Sequence, residues 1–420
     1  MKKSILAASV GTVALAGLAW AAAGGMGFGN FGGNGGGAVL LPASSQGAAT
    51  SSPVVQASPA AAGDGVQLAA DGKHIVDAYI CVFRAGAVGR GNERAEANRS
   101  ANTGGGSVGH VYEHALQGFS VRASARGVEM MARNNPRIDY CEQDQVMNVI
   151  DPVFADARPG DLTGTAGGTQ QTPPGITRVN GGISGATATA WVIDTGIDLT
   201  HPDLNVDTVR SKNFVTREKS PNDLNGHGSH VAGTIAARDN TEGVIGVAAG
   251  ARLVAVRVLD RRGSGSNSDV IAGVDYVGAN GAIGDVANMS LGGGVSPALD
   301  TAVINASSKV KFALAAGNDG GDANLHSPAR VNGPNIYTIA AFNAPNGAWA
   351  SFSNFGKPPV DYAEPGVNIL STWKAGGYNT ISGTSMATPH MAGLLLLGGI
   401  ANGGSVIRTG TSDSYIIGVR

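Results

Sequence analysis

From residue 176 onward, short segments rich in valine, isoleucine and alanine alternate with helical segments, and this alternation is what most limits the fold. Strands are predicted at 188–193, 253–259, 286–289, 310–315 and 336–341, and helices at 228–237, 268–277, 297–307 and 384–397. Such alternation favours a mostly parallel sheet with helices on both faces. We therefore predict an α/β domain at 176–420, with a functional site at the carboxyl ends of its strands.

A second, smaller domain is predicted at 73–150. Its segments at 74–83, 91–100, 108–113, 118–123, 125–134 and 138–149 follow the order βαββαβ, which is typical of a small α+β, ferredoxin-like domain. The two cysteines of the chain, Cys81 and Cys141, fall in its first and last strands, which are neighbours in that topology. They form either a disulfide or two half-buried thiols. Residues 151–175 are predicted to be a linker that holds a processing site.

The N-terminal segment has the features of a secretory signal peptide. Lys2 and Lys3 precede an apolar run at 5–18 and a stretch of small residues, which predicts a signal peptide at 1–23. The alternative is a retained membrane anchor. Residues 24–72 form a low-complexity linker rich in Gly, Ala, Ser and Gln. We expect a secreted protein, extracellular or periplasmic, with no membrane association beyond export.

The composition argues against several classes of partner. The net charge is −2 and only 14% of residues are charged, which gives no reason to expect nucleic acid or an anionic membrane as partner. Glycine is abundant, 65 of 420 residues, which fits a tightly packed core with many turns. No group of His and Cys has the spacing of a zinc site.

Ser385 lies between small residues, in GTSMATPH at 383–390, where the last helix is predicted to start. Backbone N–H groups at a helix N-terminus favour a developing oxyanion, so the position suits a nucleophile. A serine hydroxyl needs a base to take its proton, and the base needs an orienting group. His227, among glycines before a helix, is the candidate base, and Asp194, at a strand end, is the candidate carboxylate.

These blocks resemble the active-site motifs of subtilisin-like serine proteases, most of all those of the proteinase K branch. The resemblance rests on VIDTGI at 192–197, GHGSHVAGT at 226–234, GTSMATPH at 383–390, VANMSLGGG at 286–294 and SFSNFG at 351–356. It covers residues 176–400, and residues 73–150 resemble, more loosely, the inhibitory prodomain of these enzymes.

The resemblance implies further site residues. Asn318 would donate to the oxyanion together with the backbone N–H of Ser385. The peptide-clasping edges and the pocket before the cleaved bond would be formed by Ser264, Gly265, Ser290, Leu291, Gly292, Ala315, Ala316 and Gly317. No charged residue appears in those segments, so we predict an apolar pocket that prefers aromatic or aliphatic side chains.

The resemblance also implies a structural calcium site formed by Asp361 and the carbonyls of Pro334 and Ile336, whereas catalysis needs no cofactor. We expect His230 and His390 to be packed residues without catalytic roles. Only 35 residues follow Ser385, fewer than in relatives of this branch, which puts stability rather than catalysis in question.

Two functions are consistent with these observations. The first is a secreted serine endopeptidase with an Asp-His-Ser triad and an acyl-enzyme intermediate, made as a zymogen. It would act as a monomer on protein or peptide substrates and be inhibited by its own prodomain. The alternative is a catalytically silent binding or scaffold protein on a subtilisin-like fold.

Overall fold

The computed structural model describes residues 70–150 and 169–420. The predicted signal peptide, most of the linker at 24–72 and residues 151–168 lie outside the described residues. The N-terminal domain has the predicted order of elements: β1 (His74–Phe83), α1 (Glu93–Thr103), β2 (Ser107–Tyr112), β3 (Gly118–Arg122), α2 (Ala125–Asn134) and β4 (Ile138–Val149).

The sheet of the N-terminal domain is antiparallel, with the strand order β4-β1-β3-β2. Its two helices cover one face, where Phe119 and Met131 are fully buried. Cys81 lies opposite Cys141 in the register of β1 and β4, and the two form a disulfide. The order of the elements is the predicted one, and the two cysteines, whose state the sequence left open, form a bridge.

The rest of the described chain alternates strands and helices. Its elements are α3 (Pro174–Arg178), β5 (Thr189–Asp194), β6 (Lys212–Asn213), α4 (His227–Ala236), β7 (Arg252–Arg257), β8 (Ser264–Ser266), α5 (Asn267–Asn280), β9 (Val286–Met289), β10 (Leu291–Gly292), α6 (Pro297–Ala306), β11 (Lys311–Ala315), β12 (Ile336–Asn343), β13 (Ala348–Trp349), β14 (Val360–Pro365), β15 (Ile369–Thr372), β16 (Tyr378–Ile381), α7 (Thr384–Leu396), β17 (Ala401–Ile407) and β18 (Ser414–Val419).

The main sheet runs in the order β17-β18-β14-β12-β11-β9-β5-β7-β6. Neighbouring strands from β18 to β6 are parallel, and only the β17–β18 pair in this series is antiparallel. Helices α4 and α7 share a buried apolar cluster on one face, and α5 and α6 share one on the other. The predicted α/β architecture is confirmed, because parallel strands need helices over both faces to bury them.

The segment after α7 is more ordered than its glycine-rich sequence suggests. Strands β17 and β18 form a hairpin, and β18 extends the main sheet by pairing in parallel with β14. The backbone N–H of Gly418 also donates to the buried Glu364 carboxylate, at 2.9 Å. These 19 or so residues therefore complete the edge of the sheet instead of leaving it open.

The second face of the N-terminal sheet packs against helices α5 and α6. Ile80, Tyr112 and Met147 belong to the same buried cluster as Val270 of α5 and Val303 of α6. The Tyr112 hydroxyl donates to the Ser268 carbonyl at 3.1 Å. In the part of the chain that the structure describes, no helix is both long enough and apolar enough to cross a membrane.

Candidate active site

Asp194 and His227 meet at the carboxyl edge of the main sheet. Asp194 is the last residue of β5 and His227 the first of α4. The His227 Nδ1 lies 2.8 Å from Asp194 Oδ1 and 3.0 Å from Oδ2, and the two side chains are 2% and 0% exposed. A buried carboxylate held on Nδ1 leaves Nε2 of the imidazole to act as the base.

Gly226 makes this placement of His227 possible. It caps α4 with φ of +116°, a conformation that L side chains rarely adopt. A Cβ at this position would also lie 2.2 Å from the Trp373 ring. The glycine before the histidine is therefore required by both backbone conformation and space.

A buried carboxylate, Asp223, ties the aspartate loop to the histidine helix. Its Oδ1 accepts from the Thr195 hydroxyl at 3.0 Å and from the Gly226 N–H at 2.9 Å. Its Oδ2 accepts from the Ser229 N–H and hydroxyl at 2.9 and 2.7 Å. Thr195 in turn accepts from the Gly228 N–H at 3.0 Å. Sequence reasoning missed Asp223, although it stands only four residues before His227.

Ser385 is the second residue of α7, whose first turn is buried. Its hydroxyl lies 3.2 Å from the Ile150 carbonyl oxygen and 3.2 Å from the Ser290 carbonyl oxygen, and it donates to these oxygens. The His227 Nε2 is buried and makes no hydrogen bond within the described residues. The serine–histidine hydrogen bond is thus not formed in this state, in which Ile150 occupies the site.

Asn318 follows strand β11 and faces the start of α7. Its Oδ1 accepts from the Thr384 N–H at 2.8 Å and from the Thr384 hydroxyl at 2.9 Å. The other end of the amide, Nδ2, lies beside Gly383, where a Cβ would come within 2.9 Å of it. Two hydrogen bonds therefore orient the amide so that its donor end is next to the residues that precede Ser385.

The end of β4 lies in the cleft between two strand edges. Within β4, residues Val146, Met147 and Asn148 pair with β8, and Asn148 and Val149 pair with β10, all antiparallel. Strands β8 and β10 contain the predicted substrate-binding residues Ser264, Gly265, Leu291 and Gly292.

The side chain of Ser290 contacts the backbone of Ser385, whereas Ser290 was predicted to lie in the cleft edge. Its hydroxyl donates to the Ser385 carbonyl at 2.9 Å and accepts from Asn288 Nδ2 at 2.9 Å. Ser290 is fully buried, so its side chain fixes the backbone of Ser385 and does not line the cleft.

A cavity of about 150 Å³ opens next to Ile150. It is lined by the predicted residues Ala315, Ala316 and Gly317, and also by Gly292, Gly293, Asn318, Asp319, His326 and Ala329. The pocket predicted to be apolar therefore also has two ionisable side chains in its lining, those of Asp319 and His326. Asp319 directly follows Asn318, the candidate oxyanion donor, and this position was the signal that sequence reasoning overlooked.

Asp361, the candidate calcium ligand, is a largely buried carboxylate. Its Oδ2 accepts from the Thr338 N–H at 2.9 Å, and burial raises its pKa to about 6. No ion pair joins a described cationic side chain to it. No cluster of three or more His, Cys, Asp or Glu able to hold a metal occurs among the described residues. The Asp361 carboxylate and the backbone carbonyls of Pro334 and Ile336, just before and at the start of β12, are nevertheless oxygen ligands of the kind that calcium prefers.

The two remaining histidines near the site are packed, as expected. His230 Nε2 donates to the Ile369 carbonyl at 2.9 Å, and burial lowers the pKa of His230 to about 3. His390 Nδ1 donates to the Met386 carbonyl at 2.9 Å, and burial lowers the pKa of His390 to about 4. Both are neutral at physiological pH and support the helices that present His227 and Ser385.

Comparison with known proteins yields a family and several relatives. The profile described as the Subtilase family matches residues 186–398. The chain is 41% identical over 342 residues to the alkaline serine exoprotease A of Vibrio alginolyticus. This match covers 79% of this chain and 62% of that protein. It is 42% identical over 307 residues to the extracellular serine proteinase of Thermus sp. (strain Rt41A), and the match covers 72% of this chain and 71% of that protein. It is 36% identical over 332 residues to proteinase R of Parengyodontium album, and the match covers 77% of this chain and 80% of that protein.

Proposed function

Because the chain belongs to the subtilase family of serine endopeptidases, we propose that it is a secreted endopeptidase made as a zymogen and that Asp194, His227 and Ser385 are its catalytic triad. Relatives that are named extracellular serine proteinases support secretion. The complete triad and Asn318 lie within one chain, which supports activity as a monomer.

In the proposed mechanism, Ser385 Oγ attacks the substrate carbonyl carbon while His227 Nε2 takes the hydroxyl proton. Asp194 holds His227 in the tautomer that leaves Nε2 free and stabilises the imidazolium that forms. The Asn318 Nδ2 and the Ser385 N–H would bind the oxyanion. His227 then gives its proton to the leaving amine as the C–N bond breaks, and an acyl-enzyme remains. Water attacks this ester with His227 again as base, which regenerates the Ser385 hydroxyl.

One observation carries the zymogen proposal: the 3.2 Å contact between Ser385 Oγ and the Ile150 carbonyl oxygen. Since β4 lies between β8 and β10 as a substrate strand would, Ile150 stands where the residue before a cleaved bond is expected. We infer that the Ile150–Asp151 bond is the processing site, at the first residue of the predicted linker 151–175. A change of the Ser385 rotamer toward His227 Nε2 would precede attack.

The contacts of the N-terminal domain support its role as the intramolecular inhibitor. The Asp275 carboxylate of α5 accepts hydrogen bonds from backbone N–H groups of the loop at 113–116, and two of the N···O distances are 2.7 Å. From β4, Asp144 accepts from Ser268 at the start of α5, and Glu142 accepts from the Ala298 N–H at the start of α6. These bonds hold β4 in the cleft independently of the linker, so the domain would stay bound after cleavage.

The pocket next to Ile150 bears on specificity, and Asp361 bears on calcium binding. Small residues line most of the pocket, which supports broad cleavage with a preference for apolar or aromatic side chains. Calcium, where bound, would be held by Asp361 and the carbonyls of Pro334 and Ile336. It would neutralise the Asp361 carboxylate and stabilise the β12–β14 pair, with no part in the chemistry.

Expression of the full-length chain with Ser385→Ala tests the central proposal. We expect the variant to remain an uncleaved precursor and the wild type to be cut after Ile150, as read by mass measurement and N-terminal sequencing. The exposed Ser308→Ala is the matched control and should process normally. Cleavage of the Ser385→Ala precursor at the same bond would refute self-processing. Failure of a fluorophosphonate probe to label Ser385 in the processed wild type would favour the silent scaffold.

A further inference from the structure

The pocket next to Ile150 has one ionisable wall. His326 Nε2 lies 3.3 Å from Asp319 Oδ2, and the two side chains are 31% and 59% exposed. Both line the cavity, whose remaining lining residues in the described chain are uncharged. A charge on this wall therefore faces whatever side chain enters the pocket.

The pocket has room for a side chain longer than that of Ile150. Ile150 borders the cavity of about 150 Å³ without filling it. Apolar cavities of roughly this size in other proteins hold a six-membered ring. A long side chain with a terminal group would therefore reach past the alanine and glycine walls.

Hydrogen bonds from neighbouring segments hold the pair in place. Asn354 Oδ1 accepts from the Asp319 N–H at 3.1 Å and from the Gly321 N–H at 2.9 Å. The His326 N–H donates to the Ala323 carbonyl at 3.2 Å.

The other charged groups of these loops are engaged elsewhere. Asp322 accepts from the Asn324 N–H at 2.9 Å, and Arg330 pairs with Asp300 at 3.5 Å. His326 is therefore the cationic group that can balance Asp319, and only when it is protonated.

We propose that the Asp319–His326 pair makes the choice of the residue before the cleaved bond depend on pH. When His326 is neutral, Asp319 presents an unbalanced negative charge to the pocket, and a lysine or arginine side chain is accepted. When His326 is protonated, it balances Asp319 and repels a cationic side chain. Apolar side chains are accepted in both states. This inference rests on the proposed endopeptidase function and specifies its substrate class.

The test compares two peptide substrates that differ only in lysine or norleucine before the cleaved bond, assayed with the self-processed enzyme from pH 5.5 to 8.5. The ratio of their kcat/KM values cancels the pH dependence of the chemical step, because both substrates use the same catalytic groups. Lysine stays charged throughout this range. We expect the lysine-to-norleucine ratio to rise roughly two- to fivefold with pH, a size suited to a half-exposed charge pair.

Two variants assign the effect to the pair. In His326→Asn the ratio should be independent of pH and as high as the wild-type value at pH 8.5. In Asp319→Asn it should lie below the wild-type value at every pH, and its rise with pH should reflect only the loss of repulsion by His326. Asp413→Asn removes an exposed carboxylate from outside the pocket and should behave as wild type. If the lysine-to-norleucine ratio does not change with pH in an active wild-type enzyme, or if its rise persists in His326→Asn, this inference is overturned while the proposed function stands. No cleavage of either peptide by the wild type overturns the proposed function and this inference together.

Discussion

Asp144 of the N-terminal domain offers a sharp test of how this domain is held on the rest of the chain. Its carboxylate is 3% exposed and accepts from the Ser268 N–H at 3.1 Å and hydroxyl at 2.6 Å. No described cationic side chain pairs with it, and Asp269 lies near enough to repel it. Burial therefore raises the pKa of Asp144 to about 6, in spite of the hydrogen bonds that oppose the shift.

The raised pKa fixes the sign and size of the expected effect. A carboxyl group whose pKa is higher in the folded than in the unfolded chain binds its proton more tightly when folded. Stability then falls as pH rises from the ordinary value of 3.8 to about 6, and is constant above that. Two pKa units correspond to about 3 kcal/mol of lost stability at neutral pH. Asparagine cannot ionise, so Asp144→Asn should recover most of this loss above pH 6.

The assay is denaturant unfolding of the uncleaved precursor, in a Ser385→Ala background, at several pH values between 4.5 and 8. We expect the difference in free energy of unfolding between Asp144→Asn and its parent to grow by about 1–2 kcal/mol up to pH 7 and then level off. The comparison across pH cancels any hydrogen bond that asparagine makes less well.

Asp139→Asn is the matched control, because Asp139 lies on the same strand with 53% of its side chain exposed. Its difference from the parent should not vary by more than a few tenths of a kcal/mol with pH. If Asp144→Asn instead becomes less stable than its parent as pH rises, the α5 N-terminus stabilises the charged carboxylate more than burial penalises it. The reasoning would then be refuted.

Three further predictions concern the site and its support. Asn318→Ala should lower kcat by roughly 10²–10³, the loss known for this type of donor in subtilisin, with KM changed only a few-fold; a change in KM alone would assign Asn318 to substrate binding. Gly226→Ala should lower both Tm and kcat, because a Cβ would meet the Trp373 ring, whereas Gly347→Ala, also at positive φ but with nothing within 4 Å, should retain activity. A strong chelator should lower Tm by several degrees in the wild type and much less in Asp361→Asn; equal Tm values with and without chelator would count against a calcium site.

Local patterns in the sequence were sufficient for most elements of both domains. Apolar strands such as β1 and β9, and the helix α2 with its Ser124 cap, have the predicted bounds because periodicity and capping act within a few residues. The positions of Asp194, His227 and Ser385 at element ends also followed from local glycine-rich blocks. Strands β17 and β18 were not predicted. β17 has two glycines in seven residues and carries little strand signal, whereas β18, SYIIGV, has the composition of a strand and was overlooked. β17 pairs with β18, and β18 pairs with β14, which is distant in the chain.

The sequence by itself determined which elements form and which residue types stand at their ends, since these depend on neighbours a few residues away. Only the tertiary structure decided what those ends meet. It brought the Ile150 carbonyl to the Ser385 hydroxyl, 235 residues away, and left Nε2 of His227, the candidate base, without a hydrogen-bond partner among the described residues. It also bridged Cys81 to Cys141 and put a His–Asp pair into a pocket expected to be apolar. Contacts of this kind arise where distant segments pack together. Their strength depends on how well the two segments fit each other, and neither segment carries a periodic pattern that would indicate them.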